Sequence, residues 1–273
     1  MTRGGGVWAG WRPWGRVASA ATLAAAFASA PSPLRASPPV GAPAVRPSAE
    51  YLSPDLRAQQ DDPSRHPGWL WVDAGERAWA RAPAPGLPAC SGCHGNLTQM
   101  GGVVTRLPAV VPTGTLRNLE GWINHCRVTH QGQTALAYDS EPLLALTAAI
   151  AQRSRGLPMA VPVDGPAASF LAEGRAFYET RQGQLNLACT QCHDDNAGRR
   201  LRGDRLSGGL GTGYPAYRLE WNGLGSLHRR LRACSLGVRA TVFEAGSPPY
   251  LALELYLAHR ARGLPVEAPG LRR

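Results

Sequence analysis

The 273-residue sequence contains no lysine, so all 29 of its basic residues are arginine. That composition is what a GC-rich genome produces, but it has a local consequence. Every cation available to hold an anion is a planar fork suited to oxyanions. The formal charge is +10, yet no basic run is interleaved with aromatics at nucleic-acid-motif spacing, so a nucleic-acid partner is excluded. No apolar run reaches the ~20 residues needed to span a bilayer. The longest such stretch, Val17 to Ala30, follows Arg3, Arg12 and Arg16 with no acid among them. This is the layout of a secretory leader, with Ala26-Phe27-Ala28 as the cleavage site. Residues 1–28 are therefore expected to be a signal peptide. Its removal leaves a charge of +7 and a protein not inserted in the membrane.

Glycine and proline are abundant, at 32 and 24, which implies short helices joined by much loop. Residues 29–65 read as a Pro/Ala-rich linker and N-terminal extension, with a helix start at Ser53-Pro54-Asp55. Beyond this the chain repeats itself. Gly75 and Gly174 each precede a cysteine, Cys90 and Cys189, by 15 residues. Leu144-Ala145-Leu146 leads to Arg155-Gly156-Leu157-Pro158 just as Leu251-Ala252-Leu253 leads to Arg262-Gly263-Leu264-Pro265. Matched internal spacing signals duplication. The expected fold is all-α, with two tandem loop-rich domains at 66–163 and 164–273. The final helix of each is stopped by glycine and kept from resuming by proline.

Both units carry Cys-x-x-Cys-His: Cys90-Ser91-Gly92-Cys93-His94 and Cys189-Thr190-Gln191-Cys192-His193. Two thiols one helical turn apart can bond both vinyl groups of a porphyrin, while the adjacent histidine reaches the iron. A zinc knuckle would need a further suitably spaced pair, and a redox dithiol would sit in a βαβ pattern that is lacking. Two covalent c-type haems are expected, tethered by Cys90, Cys93, Cys189 and Cys192, with His94 and His193 as proximal ligands. Haem also supplies apolar mass to two thin cores. Whether a copper ion binds as well is not legible in these residues.

The second unit has no methionine, which excludes His/Met ligation there. Met100 lies too near His94 to cross to the other haem face, and Met159 lies beyond the terminal helix. Two cysteines remain. Cys126 and Cys234 lie 29 and 28 residues before the two Arg-Gly-Leu-Pro turns. Equivalent places suit equivalent roles, and the sixth ligand on each iron is the vacant one. His125 and His228 are rivals for it, and a Cys126–Cys234 disulfide is the further alternative. Around Cys234 the segment from His228 to Arg239 carries arginine and no acid. In a helix, Arg230 would share the cysteine's face at i−4, where its charge lowers the thiol pKa and attracts a dianion.

These residues resemble the SoxA family, the larger cytochrome subunit of the SoxAX complex of thiosulfate oxidation. The likeness is strongest over Leu201-Arg202-Gly203, Tyr214 to Trp221, Gly225 to Arg230, Cys234, Val238-Arg239-Ala240 and the terminal Arg262-Gly263-Leu264-Pro265. It implies a periplasmic L-cysteine S-thiosulfotransferase. Such an enzyme joins thiosulfate to a cysteine of the carrier SoxYZ and passes two electrons through haem to a cytochrome c. A mono-haem SoxX-like subunit is the implied partner. By resemblance, Cys234 is the axial ligand of the active-site haem and the site of a persulfide, with His193 opposite and Arg230 assisting the substrate. His94 and Cys126 hold the first haem, which some relatives have lost. The competing readings are a non-catalytic di-haem electron carrier and a di-haem peroxidase.

Overall fold

The computed structural model describes residues 45–273. The leader, 1–28, and the proline-rich segment as far as residue 44 lie outside the described residues. Nine α-helices are present among those described. They are α1 (Pro54–Asp61), α2 (Trp69–Ala80), α3 (Cys90–His94), α4 (Leu119–Gln131), α5 (Glu141–Gln152), α6 (Ala168–Glu179), α7 (Cys189–His193), α8 (Leu227–Gly237) and α9 (Pro248–Arg260). The side chain of Ser53 caps α1 by accepting from the Leu56 amide, as its sequence signature indicates.

The two halves are built alike. Helix α2 packs along α5, and α6 packs along α9. The duplicated glycines explain both contacts. A Cβ on Gly75 would lie 2.0 Å from the carbonyl oxygen of Ala145, and one on Gly174 would lie 2.0 Å from that of Ala252. Only a residue without a side chain lets each helix pair approach so closely. Trp79, in α2, donates its indole N–H to the Gly95 carbonyl at 3.0 Å. Its counterpart in α6, Tyr178, donates to Asp194 Oδ1 at 2.9 Å. Each aromatic thus ties its helix to the residue following a haem-motif histidine.

The two Arg-Gly-Leu-Pro turns do more than end their helices. They pair with each other. Gly156 donates to Val266 at 2.8 Å and Gly263 to Met159 at 2.9 Å, while Met159 donates to Leu264 and Val266 to Leu157, both at 2.9 Å. These four bonds obey a local two-fold relation between the halves. Around them Met159, Val161, Leu255, Ala258, Ala261 and Val266 form a buried apolar cluster.

The protein is mostly helical, with two tandem cytochrome-c-like domains, but the all-α expectation needs correction. Strands β1 (Ala109–Val110) and β2 (Leu116–Arg117) form one ribbon, and β3 (Arg200–Leu201) and β4 (Asp204–Arg205) form another. A three-stranded sheet joins β5 (Ala216–Arg218) to β6 (Gly223–Gly225) antiparallel and to the C-terminal β7 (Gly270–Arg272) parallel. Long loops must satisfy their backbone groups somehow, and ladders of two or three residues do so without leaving a period-two signal. The N-terminal extension closes on this sheet, with Gln60 Oε1 accepting from the Leu271 amide at 3.1 Å.

Candidate haem sites

Each attachment motif folds as one helical turn, which puts its histidine at the C-terminal end. The second site is the more completely built. His193 uses Nδ1 to donate to the Ser207 carbonyl at 2.8 Å. That bond fixes the tautomer and leaves Nε2 bare, as a metal-bound imidazole requires. Gly209 backs the ring at φ +69°, and a Cβ there would come 2.8 Å from His193 Cγ. Cys234, in α8, lies within hydrogen-bonding reach of the same ring and close to Cys189 and Cys192. A tethering pair, an imidazole with a free nitrogen and a third thiol therefore converge, and this donor set fits a c-type haem. Beside His193 a cavity of about 500 Å³ opens, lined in part by Leu171, Arg175, Tyr256 and Arg260.

The first site repeats the plan. Cys126, in α4, lies close enough to Cys90 and Cys93 for their charges to couple. The ring of His94 rests against Trp79, with centroids 5.7 Å apart. Cys126 and Cys234 are both free, and each is placed at a different motif.

The rival ligands fall elsewhere. His228 is buried, donates Nε2–H to Glu254 at 3.0 Å and accepts at Nδ1 from the Gly246 amide at 2.8 Å, so neither nitrogen is spare. His125 packs edge-on against Trp122 and His130.

Electrostatics separate the two equivalent thiols. Burial pushes both toward the neutral form. At Cys126 burial prevails over the nearby Arg117 charge, and the thiol is raised above its ordinary value. At Cys234 the His193 ring and the charges of Arg230 and Arg218 outweigh burial, and the thiol is lowered. Arg230 sits at i−4 on α8, as its spacing indicates, with Nη1 3.9 Å from Glu220 Oε1. Arg218 lies inside the Tyr214 to Trp221 stretch, with nothing in its spacing to single it out. Its buried guanidinium is held by Glu220 at 2.8 Å and faces Asp204 at 3.8 Å. Arg260 also lies outside every sequence motif. It grips Asp194 with both nitrogens, at 3.2 and 2.5 Å, and lies 4.3 Å over Tyr178. Only the glycine-cysteine register that places Asp194 and Tyr178 hinted at it.

This fold and these sites define a two-haem cytochrome of the c type. A family model described as "SoxA/TsdA, cytochrome c domain" matches residues 74–159 and 173–266. The chain is 37% identical to the L-cysteine S-thiosulfotransferase subunit SoxA of Rhodovulum sulfidophilum, over 84% of this chain and 80% of that protein. It is 36% identical to the same subunit of Paracoccus pantotrophus, over 81% and 77%. The crystal structure of SoxXA from P. pantotrophus superposes with a TM-score of 0.81 at 34% identity, covering 84% of this chain and 87% of that one. The chain belongs to the SoxA family.

Proposed function

We propose that Cys234 is the reacting sulfur of an L-cysteine S-thiosulfotransferase and that Arg230 holds the sulfonate end of thiosulfate beside it. The protein acts in the periplasm as the SoxA subunit with a SoxX-type cytochrome, and carries two covalent haem c groups. Thiosulfate is joined to a cysteine thiol of the carrier SoxYZ. One sulfur–sulfur bond forms, the thiol proton goes to water and two electrons leave for a cytochrome c. When bound, haem supplies the electron acceptor. The chain's residues supply the rest: His193 and Cys234 would hold the iron, Cys189 and Cys192 would tether the porphyrin, and Arg230 and Arg218 favour negative charge at the Cys234 sulfur. His94 and Cys126 would hold the first haem. The domains are taken to divide as 66–163 and 164–273, which the matched helix pairs support.

One observation carries this reading. Two thiols occupy equivalent places in a duplicated fold, but only the one beside Arg230 and Arg218 is drawn toward the thiolate. Cys234→Met and Cys126→Met should therefore behave differently. Each should lose one thiolate-to-iron absorption, but only Cys234→Met should abolish thiosulfate-dependent reduction of cytochrome c with carrier present. Undiminished turnover in Cys234→Met would remove the basis of the assignment.

A further inference from the structure

The helices that carry Cys126 and Cys234 bring Glu120 and His228 within electrostatic reach of each other, and there a buried carboxylate, Glu120, lies near a partly buried one, Glu254. Glu120 is the second residue of α4 and His228 the second residue of α8. Each precedes its cysteine, Cys126 or Cys234, by six residues, so the duplication has placed them at equivalent positions. Glu120 is 8% exposed and His228 1%. Between them Glu254 reaches in from α9. Its Oε2 accepts from His228 Nε2 and from Asn118 Nδ2, both at 3.0 Å. Gly246 donates to His228 Nδ1 at 2.8 Å, and Tyr138 stacks on the ring at 5.9 Å. Burial disfavours charge on this ring, and the Glu254, Glu120 and Asp139 carboxylates outweigh it and draw its pKa upward. With Nδ1 accepting from the Gly246 amide, however, a second ring proton would meet that N–H head-on, so the imidazole stays neutral and supports a charged Glu254.

Glu120 has no comparable donors. Glu254, Asp139, the neutral His228 and the phenols of Tyr138 and Tyr214 are the titratable groups around this carboxylate pair, and none of them is a fixed cation. Glu120 and Glu254 also line one half-open pocket of about 80 Å³, with Thr147 and Thr212 on its wall. That volume suits a few water molecules. Two carboxylates sharing a water-sized pocket, one fixed in its charged form by two donors and the other buried without them, leave the second to hold a proton. Burial first, and then the Glu254 charge, push Glu120 well above its ordinary value.

We propose that Glu120 and Glu254 form a proton-binding site between the two haem domains, which takes up a proton as an electron reaches either haem and releases it as the electron leaves. The proposal rests on the two-haem reading and not on the sulfur chemistry. Reduction of ferric to ferrous iron adds one negative charge. The Glu120 carboxylate takes a proton from bulk water through the cavity and becomes the acid. When the electron passes to the accepting cytochrome, the proton returns to bulk. Six helical residues span about 9 Å. At a separation on the order of 10 Å and an effective dielectric of about 20, one added electron raises a carboxylate's proton affinity roughly tenfold. The dependence is strongest when the site titrates near the working pH.

An electrode titration of the haem-loaded complex, from mildly acidic to mildly alkaline pH, tests this without thiosulfate or carrier. A failure of the sulfur chemistry therefore leaves the outcome unaffected. A tenfold change in affinity corresponds to a potential that falls with pH, where the site titrates, by about half a proton per electron. Glu120→Gln should flatten that slope while both haem spectra stay native. Potentials independent of pH in the unaltered complex, or an unchanged slope in Glu120→Gln, would overturn the proposal. Should the variant not assemble, infrared difference spectra of the unaltered complex with 13C-glutamate decide the matter. A protonated-carboxyl band that grows on reduction and shifts with the label supports the site, and its absence refutes it.

Discussion

Gly263 donates its backbone N–H to the carbonyl of Met159 at 2.9 Å, and the two-fold-related Gly156 does the same to Val266 at 2.8 Å. The helix-stopping glycines thus also join the repeats. Both adopt left-handed backbone, φ +81° and +83°, with open space where a Cβ would go. Gly263→Ala should therefore cost only the conformational penalty, about 1 kcal/mol. Gly75→Ala and Gly174→Ala are different, because each Cβ would strike a carbonyl at 2.0 Å and force its helix pair apart. A loss of about 3 kcal/mol is expected there. Denaturant unfolding of the haem-loaded variants measures the contrast. A Gly75→Ala cost no larger than that of Gly263→Ala would contradict the close-packing account.

Arg230 lies one turn before Cys234 and is only partly occupied by Glu220, at 3.9 Å. Removing a preorganised charge donor from a reaction site costs on the order of 100-fold in rate. Arg230→Gln should lose about that much thiosulfate turnover with both haem spectra intact. Arg230→Lys should recover only part of it, because an ammonium cannot present two parallel donors to a sulfonate. Steady-state assays across thiosulfate concentrations check this. Full recovery by lysine would reduce Arg230 to a source of charge alone.

His66 predicts a pH dependence of stability where the N-terminal segment meets Pro269. Its Nε2–H donates to the Pro269 carbonyl at 3.1 Å, and its Nδ1 accepts from the Gly68 amide at 2.9 Å. A second ring proton would meet that N–H head-on. Burial is the main cause, and the ring is pushed down to about 4 from its ordinary 6.5. The folded pKa is depressed, so the neutral ring's contribution is complete above 6.5 and is lost as pH falls from there toward 4. The difference amounts to about 3 kcal/mol. Unfolding titrations of His66→Gln should show a flatter decline over that window than the unaltered protein. Parallel curves would mean the ring does not control it.

The chemistry-bearing residues were legible because they are spaced in sequence. Cys90, Cys93 and His94 share one turn, and Arg230 and Cys234 share one helix face, so periodicity alone sets their neighbourhood. The duplication also made Cys126 and Cys234 comparable before any fold was known. What stayed hidden depends on tertiary contact. Ser207 aligns His193 through a backbone carbonyl, which any residue there would offer. Arg218 and Arg260 approach from β5 and α9, distant in sequence from the motifs. The parallel pairing of β7 with β5 joins Arg218 to Arg272 across more than fifty residues, and strands of three residues carry no pattern of their own.

The Ser207 contact yields the sharpest test of the second site's geometry. Gly209 follows it by two residues, in left-handed backbone at φ +69°, with its open side facing the His193 ring. An alanine Cβ would sit 2.8 Å from His193 Cγ, closer than carbon atoms tolerate, and must push the imidazole aside. The 2.8 Å bond from Nδ1 to the Ser207 carbonyl would then lengthen or break. Loss of such an orienting partner typically weakens a metal site 10- to 100-fold. In Gly209→Ala, one of two low-spin thiolate-haem signals in the paramagnetic resonance spectrum should change its g values, while the signal of the His94 site stays fixed. Thiosulfate turnover should fall with the altered signal. A spectrum identical to that of the unaltered protein would show that the ring does not rest on this glycine when iron is bound.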